Sequence, residues 1–135
     1  MRLALFDFDG TISDQDSFRG FIIYYCGYSK FILGSIILSP IYLLYVLGLI
    51  KNNFMKEMAI SFYFKNESVT NLWNKGKQYS DNEIDKIVRG KAREKISWHQ
   101  SQGDRVVIVS ASANIWLDSW CSRNGIELIA TELEE

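Results

Sequence analysis

The chain has 135 residues, 47% of them hydrophobic and 14% aromatic, enough apolar surface for one compact core carrying an insertion. Fifteen basic against 16 acidic residues leave a net charge of −1 with no basic tract, which argues against nucleic acid as a partner. Cys26 and Cys121 are isolated and lack CxxC spacing, which points to a reducing, cytoplasmic setting and away from a cysteine metal site.

The first element is a strand. Leu3-Ala4-Leu5-Phe6 is a continuous apolar run that leads directly into Asp7-Phe8-Asp9-Gly10-Thr11. Such a run predicts the first strand of a parallel α/β sheet, buried on both faces, with a ligand site beyond its carboxyl end. Because strand side chains alternate, Asp7 and Asp9 are expected to face one pocket while Phe8 packs inward. Two carboxylates that close call for a cation between them or a shared proton, which suggests Mg2+. Gly10 permits a turn whose amides can face an anion, and Thr11 adds a hydroxyl. The same two acidic residues interrupt the amino-terminal apolar stretch, so no signal peptide is expected.

Residues 13–102 read as helical throughout, with helices over 14–27, 30–50, 52–64, 68–79 and 81–102. The second is interrupted by Pro40 and is expected to break into two shorter helices. Residues 31–50 carry no charge, about the length that crosses a bilayer. A single crossing would separate the two ends of the chain, so three readings stay open for this stretch: a buried core of the insertion, a hairpin dipping into a membrane interface, or a docking surface for a lipid-like substrate. The last helix places Ile84, Ile87, Val88, Ala92 and Ile96 on one face and ends before Gly103. His99, the only histidine, is expected to have a helix-end role.

Arg105-Val106-Val107-Ile108-Val109-Ser110-Ala111-Ser112 is a second buried strand with a hydroxyl residue at its carboxyl end. A helix over about 113–124, stopped near Gly125, follows it, and a third strand runs over 126–130. An N-terminal serine cap is the plainer reading of the same pattern.

Taken in this order, Asp7-Phe8-Asp9-Gly10-Thr11 and Val109-Ser110-Ala111-Ser112 resemble the first and second motifs of the haloacid dehalogenase (HAD) superfamily, in its phosphohydrolase branch. That resemblance implies an α/β HAD-like Rossmannoid parallel sheet of about three strands, incomplete here, with an inserted α-helical C1-type cap. Residues 1–13 and 95–135 would form the core and 14–94 the cap. Asp7 would be the nucleophile that forms an aspartyl-phosphate, and Asp9 the general acid and base. Both would hold Mg2+, while Gly10, Thr11, Ser110 and Ala111 would bind the phosphoryl group. With Ala130-Thr131-Glu132-Leu133 added, the pattern resembles subfamily IB, the phosphoserine phosphatase-like and phosphatidylglycerophosphatase C-like group. Asp16 stands where phosphoserine phosphatases carry a substrate-contacting glutamate, or it caps the first helix. The substrate implied is a small-molecule or lipid phosphomonoester.

The family's third and fourth motifs, a lysine and one or two metal-binding aspartates, have no counterpart here. After Ser110 the chain has no lysine and one arginine, Arg123, and none of its later acids, Asp118, Glu127, Glu132, Glu134 and Glu135, follows an apolar strand. Phosphoryl transfer needs cations to offset the charge on the phosphoryl group, so these 135 residues alone are expected to be inactive or nearly so. A non-catalytic binding module and a membrane-associated lipid phosphatase, held through 31–50, are the competing readings. Nothing in the sequence sets an oligomeric state.

Overall fold

The structure, a computed structural model, describes residues 2–132. It is an α/β protein with a three-stranded parallel sheet in the order β1 (Leu3–Phe6), β2 (Arg105–Ala113), β3 (Glu127–Thr131). Leu3 pairs with Arg105 and Phe6 with Ile108; Val107 pairs with Glu127 and Ser110 with Ala130. Among the described residues seven α-helices accompany the strands: α1 (Ser17–Cys26), α2 (Tyr28–Val46), α3 (Asn52–Tyr63), α4 (Val69–Asn82), α5 (Ile84–Ile87), α6 (Gly90–Ser101) and α7 (Asn114–Arg123). Leu133, the last residue of the subfamily IB pattern, lies outside the described residues together with Glu134 and Glu135.

The chain divides into two compact units, Met1–Phe21 with Ser68–Glu135, and Ile22–Glu67. In the first unit the core gathers around α7. Ile115, Trp116, Leu117, Trp120 and Cys121 are all buried, and Phe21 stacks on Trp116 with ring centroids 4.8 Å apart. Burial pushes the Cys121 thiol up to about 12, so it behaves as an apolar core group. Helix α4 approaches α7 so closely that a Cβ at Gly76 would meet the Ile115 carbonyl. Gly76→Ala is therefore expected to lower unfolding stability by about 1–3 kcal/mol, the usual cost of overpacking, measured by urea titration.

Burial of β1 on both faces is not what the structure has. Ala4, Val106, Ile108 and Ser110 are buried on one face of the sheet, but on the other only the central Val107 is buried among these positions, while Leu3 and Leu5 are 56% and 61% exposed and Ile129 is 61% exposed. The order β1-β2-β3 advances in one direction, and right-handed connections then place α6 and α7 on the same face. Among the described residues the opposite face is crossed by an ion pair, Arg105 Nη2 to Glu127 Oε1 at 2.8 Å.

A buried carboxylate fastens the start of the sheet. Asp104 accepts from the backbone N–H of Arg2 at 3.2 Å and lies 2.9 Å from His99 Nδ1, which gives the histidine its helix-end role. The His99 hydrogen bond, then the Arg2 amide and charge, hold the Asp104 carboxyl below its usual range. A depressed carboxyl stabilises the fold above the unfolded value, and that contribution fades as pH falls through the folded one. Asp104→Asn is thus expected to lower the urea midpoint at neutral pH, the gap from wild type closing below pH about 4.

Three further expectations about the helices are corrected. Helix α2 runs through Pro40 unbroken. The carbonyl that loses its donor to proline is that of Ile36, and the Ser39 hydroxyl donates to it at 2.7 Å. Of the three readings left open for this stretch, the buried core is the one the structure removes: within α2 only Gly34 and Leu38 are buried. The single helix expected over 81–102 is divided into the end of α4, the short α5 and α6. Between the last two, Val88 forms an antiparallel bridge with Ser13, fixed by Asp14 N–H to Ile87 O at 2.9 Å and Arg89 N–H to Ile12 O at 2.7 Å. Extended backbone at Val88 and Arg89 makes these bonds and cannot also be helix.

Candidate active site

The first unit brings both sequence motifs to the carboxyl ends of adjacent strands. Asp7 follows Phe6, and Phe6 pairs with Ile108, two residues before Ser110. Beyond β1 the chain makes a tight turn over Phe8–Ile12. Phe8 and Ile12 are fully buried, and Phe8 packs edge-on against Trp120 at 5.7 Å. These two anchors leave Asp7, Gly10 and Thr11 exposed and Asp9 half-buried. Gly10 has φ of +78°, a conformation that side chains resist, and its N–H points to Ser13 Oγ at 3.4 Å.

Both acidic side chains are held by backbone amides. Asp7 Oδ1 accepts from Phe8 N–H at 2.8 Å, and Asp9 Oδ1 accepts from Ser17 N–H, in the first turn of α1, also at 2.8 Å. Ser17 is itself completely buried and tied down twice. The Trp116 indole N–H donates to its hydroxyl at 3.0 Å, and the Tyr79 hydroxyl donates to its carbonyl at 3.2 Å. Burial, followed by the charge of Asp9, pushes the Tyr79 hydroxyl above its usual range, so it remains a proton donor. The orientation of Asp9 therefore depends on residues from α1, α4 and α7. Sequence reasoning missed this network, because one serine, one tyrosine and one tryptophan carry no spacing signal.

Asp16 Oδ1 accepts from Phe18 N–H at 3.0 Å and so occupies the cap of α1. At the other strand end, β2 pairs regularly through Ser110 and resumes at Ala113 opposite Thr131, which leaves residues 111 and 112 as a bulge. Ser110 is buried and Ala111 exposed. The cap position of α7 belongs to Ala113, which makes no side-chain cap hydrogen bond, so the expected serine cap does not occur there. Asn114, at the first turn of α7, has its Oδ1 buried without a hydrogen-bond partner among the described residues.

Among the described residues no three His, Cys, Asp or Glu side chains cluster to hold a metal ion. Mg2+ needs fewer, since it is commonly held by one or two carboxylates with phosphate and water completing the shell. Asp7 and Asp9 are hard oxygen donors of the right kind, with one oxygen of each fixed by an amide.

Protein CicA of Caulobacter vibrioides strain NA1000 / CB15N is 25% identical over 127 residues, 94% of this chain and 56% of that protein. The chain thus spans little more than half the length of the curated relatives it matches. A protein of unknown function from Bordetella pertussis Tohama I superposes with a TM-score of 0.79 at 21% identity, covering 98% of this chain and 61% of that one. A phosphoserine phosphohydrolase-like protein from Francisella tularensis subsp. tularensis SCHU S4 superposes at 0.69 with 15% identity, covering 96% and 58%. Residues 4–135 match the family described as haloacid dehalogenase-like hydrolase, and the chain belongs to that family.

Proposed function

We propose that this chain carries the nucleophile and the acid–base group of a Mg2+-dependent phosphomonoester hydrolase. The carrying observation is the pair of strand ends: an exposed Asp7 and a half-buried Asp9 just beyond β1, with Ser110 at the end of the neighbouring β2. An Asp7 carboxylate oxygen attacks phosphorus, the bond from phosphorus to the leaving oxygen breaks, and Asp9 gives that oxygen a proton. Water then attacks the aspartyl-phosphate, Asp9 takes a proton from it, and phosphate leaves with Asp7 restored. The Ser17 amide keeps Asp9 aimed through both steps. Thr11 and Ser110 hydroxyls and the amides of Gly10 and Ala111 hydrogen-bond the phosphoryl oxygens, helped by the positive end of α7. When bound at Asp7 and Asp9, Mg2+ supplies charge that offsets the phosphoryl oxygens.

Residues 14–94 are read as the family's cap insertion, whose role is to exclude water from the intermediate; within them Ile22–Glu67 form the separate compact unit. Subfamily IB is the group that the strand-end motifs favour, and the name of the Francisella relative agrees with it. Asp16 stays a candidate substrate contact, although its carboxylate already caps α1. A lipid phosphomonoester is the second substrate reading, favoured by the exposed apolar surface of α2. The test is chemical: acid-quenched turnover of the full-length protein leaves a phosphoryl group on the peptide containing Asp7. A peptide that stays unmodified while phosphate is released overturns the mechanism, and absence of both favours a non-catalytic module.

A further inference from the structure

Helix α2 has two apolar sides, and the structure supplies a partner for one. Gly34 and Leu38 are buried, Phe31, Ile41 and Tyr45 are half-buried, and this stripe packs on α3. The Phe31 ring lies parallel to that of Tyr63 at 6.3 Å, and the Tyr63 hydroxyl donates to Phe31 O at 3.0 Å. On the remaining surface Ile32, Leu33, Ile36, Ile37 and Leu43 are each more than half exposed. A helix facing water carries charge on that side, and residues 31–50 carry none.

By length and composition α2 could cross a membrane, but its connections forbid a lone crossing. The chain enters and leaves 22–67 from one unit, whose strands β1 and β2 are neighbours, so both flanks lie on one side of any bilayer. A return crossing would fall to α3, which at 12 residues is about 18 Å long against a hydrocarbon core of about 30 Å and carries Lys56 and Glu57. An apolar surface that meets lipid without crossing lies in the interface. Charge selects the lipid. Residues 22–67 hold four lysines, no arginine and two acids, in a chain whose net charge is −1. Lys30 and Lys51 are exposed at the two ends of the uncharged stretch, Lys30 donating to Tyr63 O at 3.4 Å and able to turn from it to an anionic headgroup, and the exposed Tyr28 and Tyr42 suit the same depth.

We propose that α2 binds the surface of an anionic phospholipid bilayer, lying in the interface as a monotopic anchor. This stands apart from the chemistry at Asp7. The experiment is cosedimentation of the purified full-length protein with phosphatidylcholine vesicles, with and without phosphatidylserine. Wild type is expected to pellet with the serine-containing vesicles, less so as salt is raised. Ile36→Asp with Ile37→Asp removes two exposed side chains, should leave the far-ultraviolet circular dichroism and urea midpoint unchanged, and should weaken binding about tenfold or more. Lys30→Glu with Lys51→Glu should abolish the preference for phosphatidylserine. Wild type that stays in the supernatant with both vesicles overturns the proposal, as does equal binding by the double aspartate variant. So does self-association that the aspartate variant abolishes in the absence of any vesicle binding, which would assign the face to a second copy. Binding by residues 1–135 but not by the full-length protein would give the face to further chain and likewise overturn it.

Discussion

Asp7→Asn in the full-length protein is expected to lower phosphate-ester turnover by about three orders of magnitude or more, since the proposed mechanism forms its covalent bond at this carboxylate. The substitution is nearly isosteric. The asparagine carbonyl can still accept from Phe8 N–H, so the turn after β1 should keep its geometry and the urea midpoint should barely move. Separating the two readouts is the purpose of the experiment: lost activity with unchanged stability assigns chemistry to the carboxylate. The phosphoryl-bearing peptide should vanish in parallel. Turnover at the wild-type rate would remove Asp7 as nucleophile whatever the fold resembles.

Trp116→Ala is expected to lower stability by about 3–5 kcal/mol, a large share of the roughly 5–15 kcal/mol that holds a domain folded. Trp116 is 1% exposed, stacks on Phe21, meets Phe18 edge-on at 5.8 Å and donates to Ser17. Trp116→Phe divides the effects. It keeps most of the apolar contact but takes the indole N–H from the Ser17 hydroxyl, at about 1–3 kcal/mol. Because the neighbouring Ser17 N–H holds Asp9, the phenylalanine variant should also lose kcat more than it raises KM, and its pH profile should shift. A variant destabilised by urea titration but kinetically identical to wild type would confine Trp116 to packing.

The parts of this fold that were legible from the sequence are those where one residue pattern had one physical solution. A four-residue apolar run ending in Asp7, and another ending in Ser110, read as parallel strands because buried strands need no polar face. Gly103 and Gly125 marked the ends of α6 and α7, and both take positive φ after the helix. Where residues had a second solution, the reading failed. Leu3 and Leu5 are apolar in a strand that is covered on one face, and periodicity cannot distinguish that from a strand covered on two. Pro40 ends most helices, but the hydroxyl of the preceding Ser39 supplies Ile36 O with the donor that proline lacks. Val88 fits the apolar face of a helix, yet its backbone is used by Ser13, a partner 75 residues earlier in the chain. For the site itself, the strand ends named Asp7, Asp9 and Ser110 as candidates. The support behind Asp9 was invisible because it depends on long-range contacts of residues that are common in any core.

The register of the sheet also sets an order of events. Leu3 pairs with Arg105, so the edge that presents Asp7 has no neighbour until more than a hundred residues have been synthesised. Loop-closure entropy makes such a pairing late even in the complete chain. Residues 22–67 have their partners close in sequence, as between Phe31 and Tyr63, and need not wait. On a ribosome, the segment carrying α2 and its lysines therefore emerges with its own packing partners before the strand ends that bear the carboxylates and Ser110 have come together.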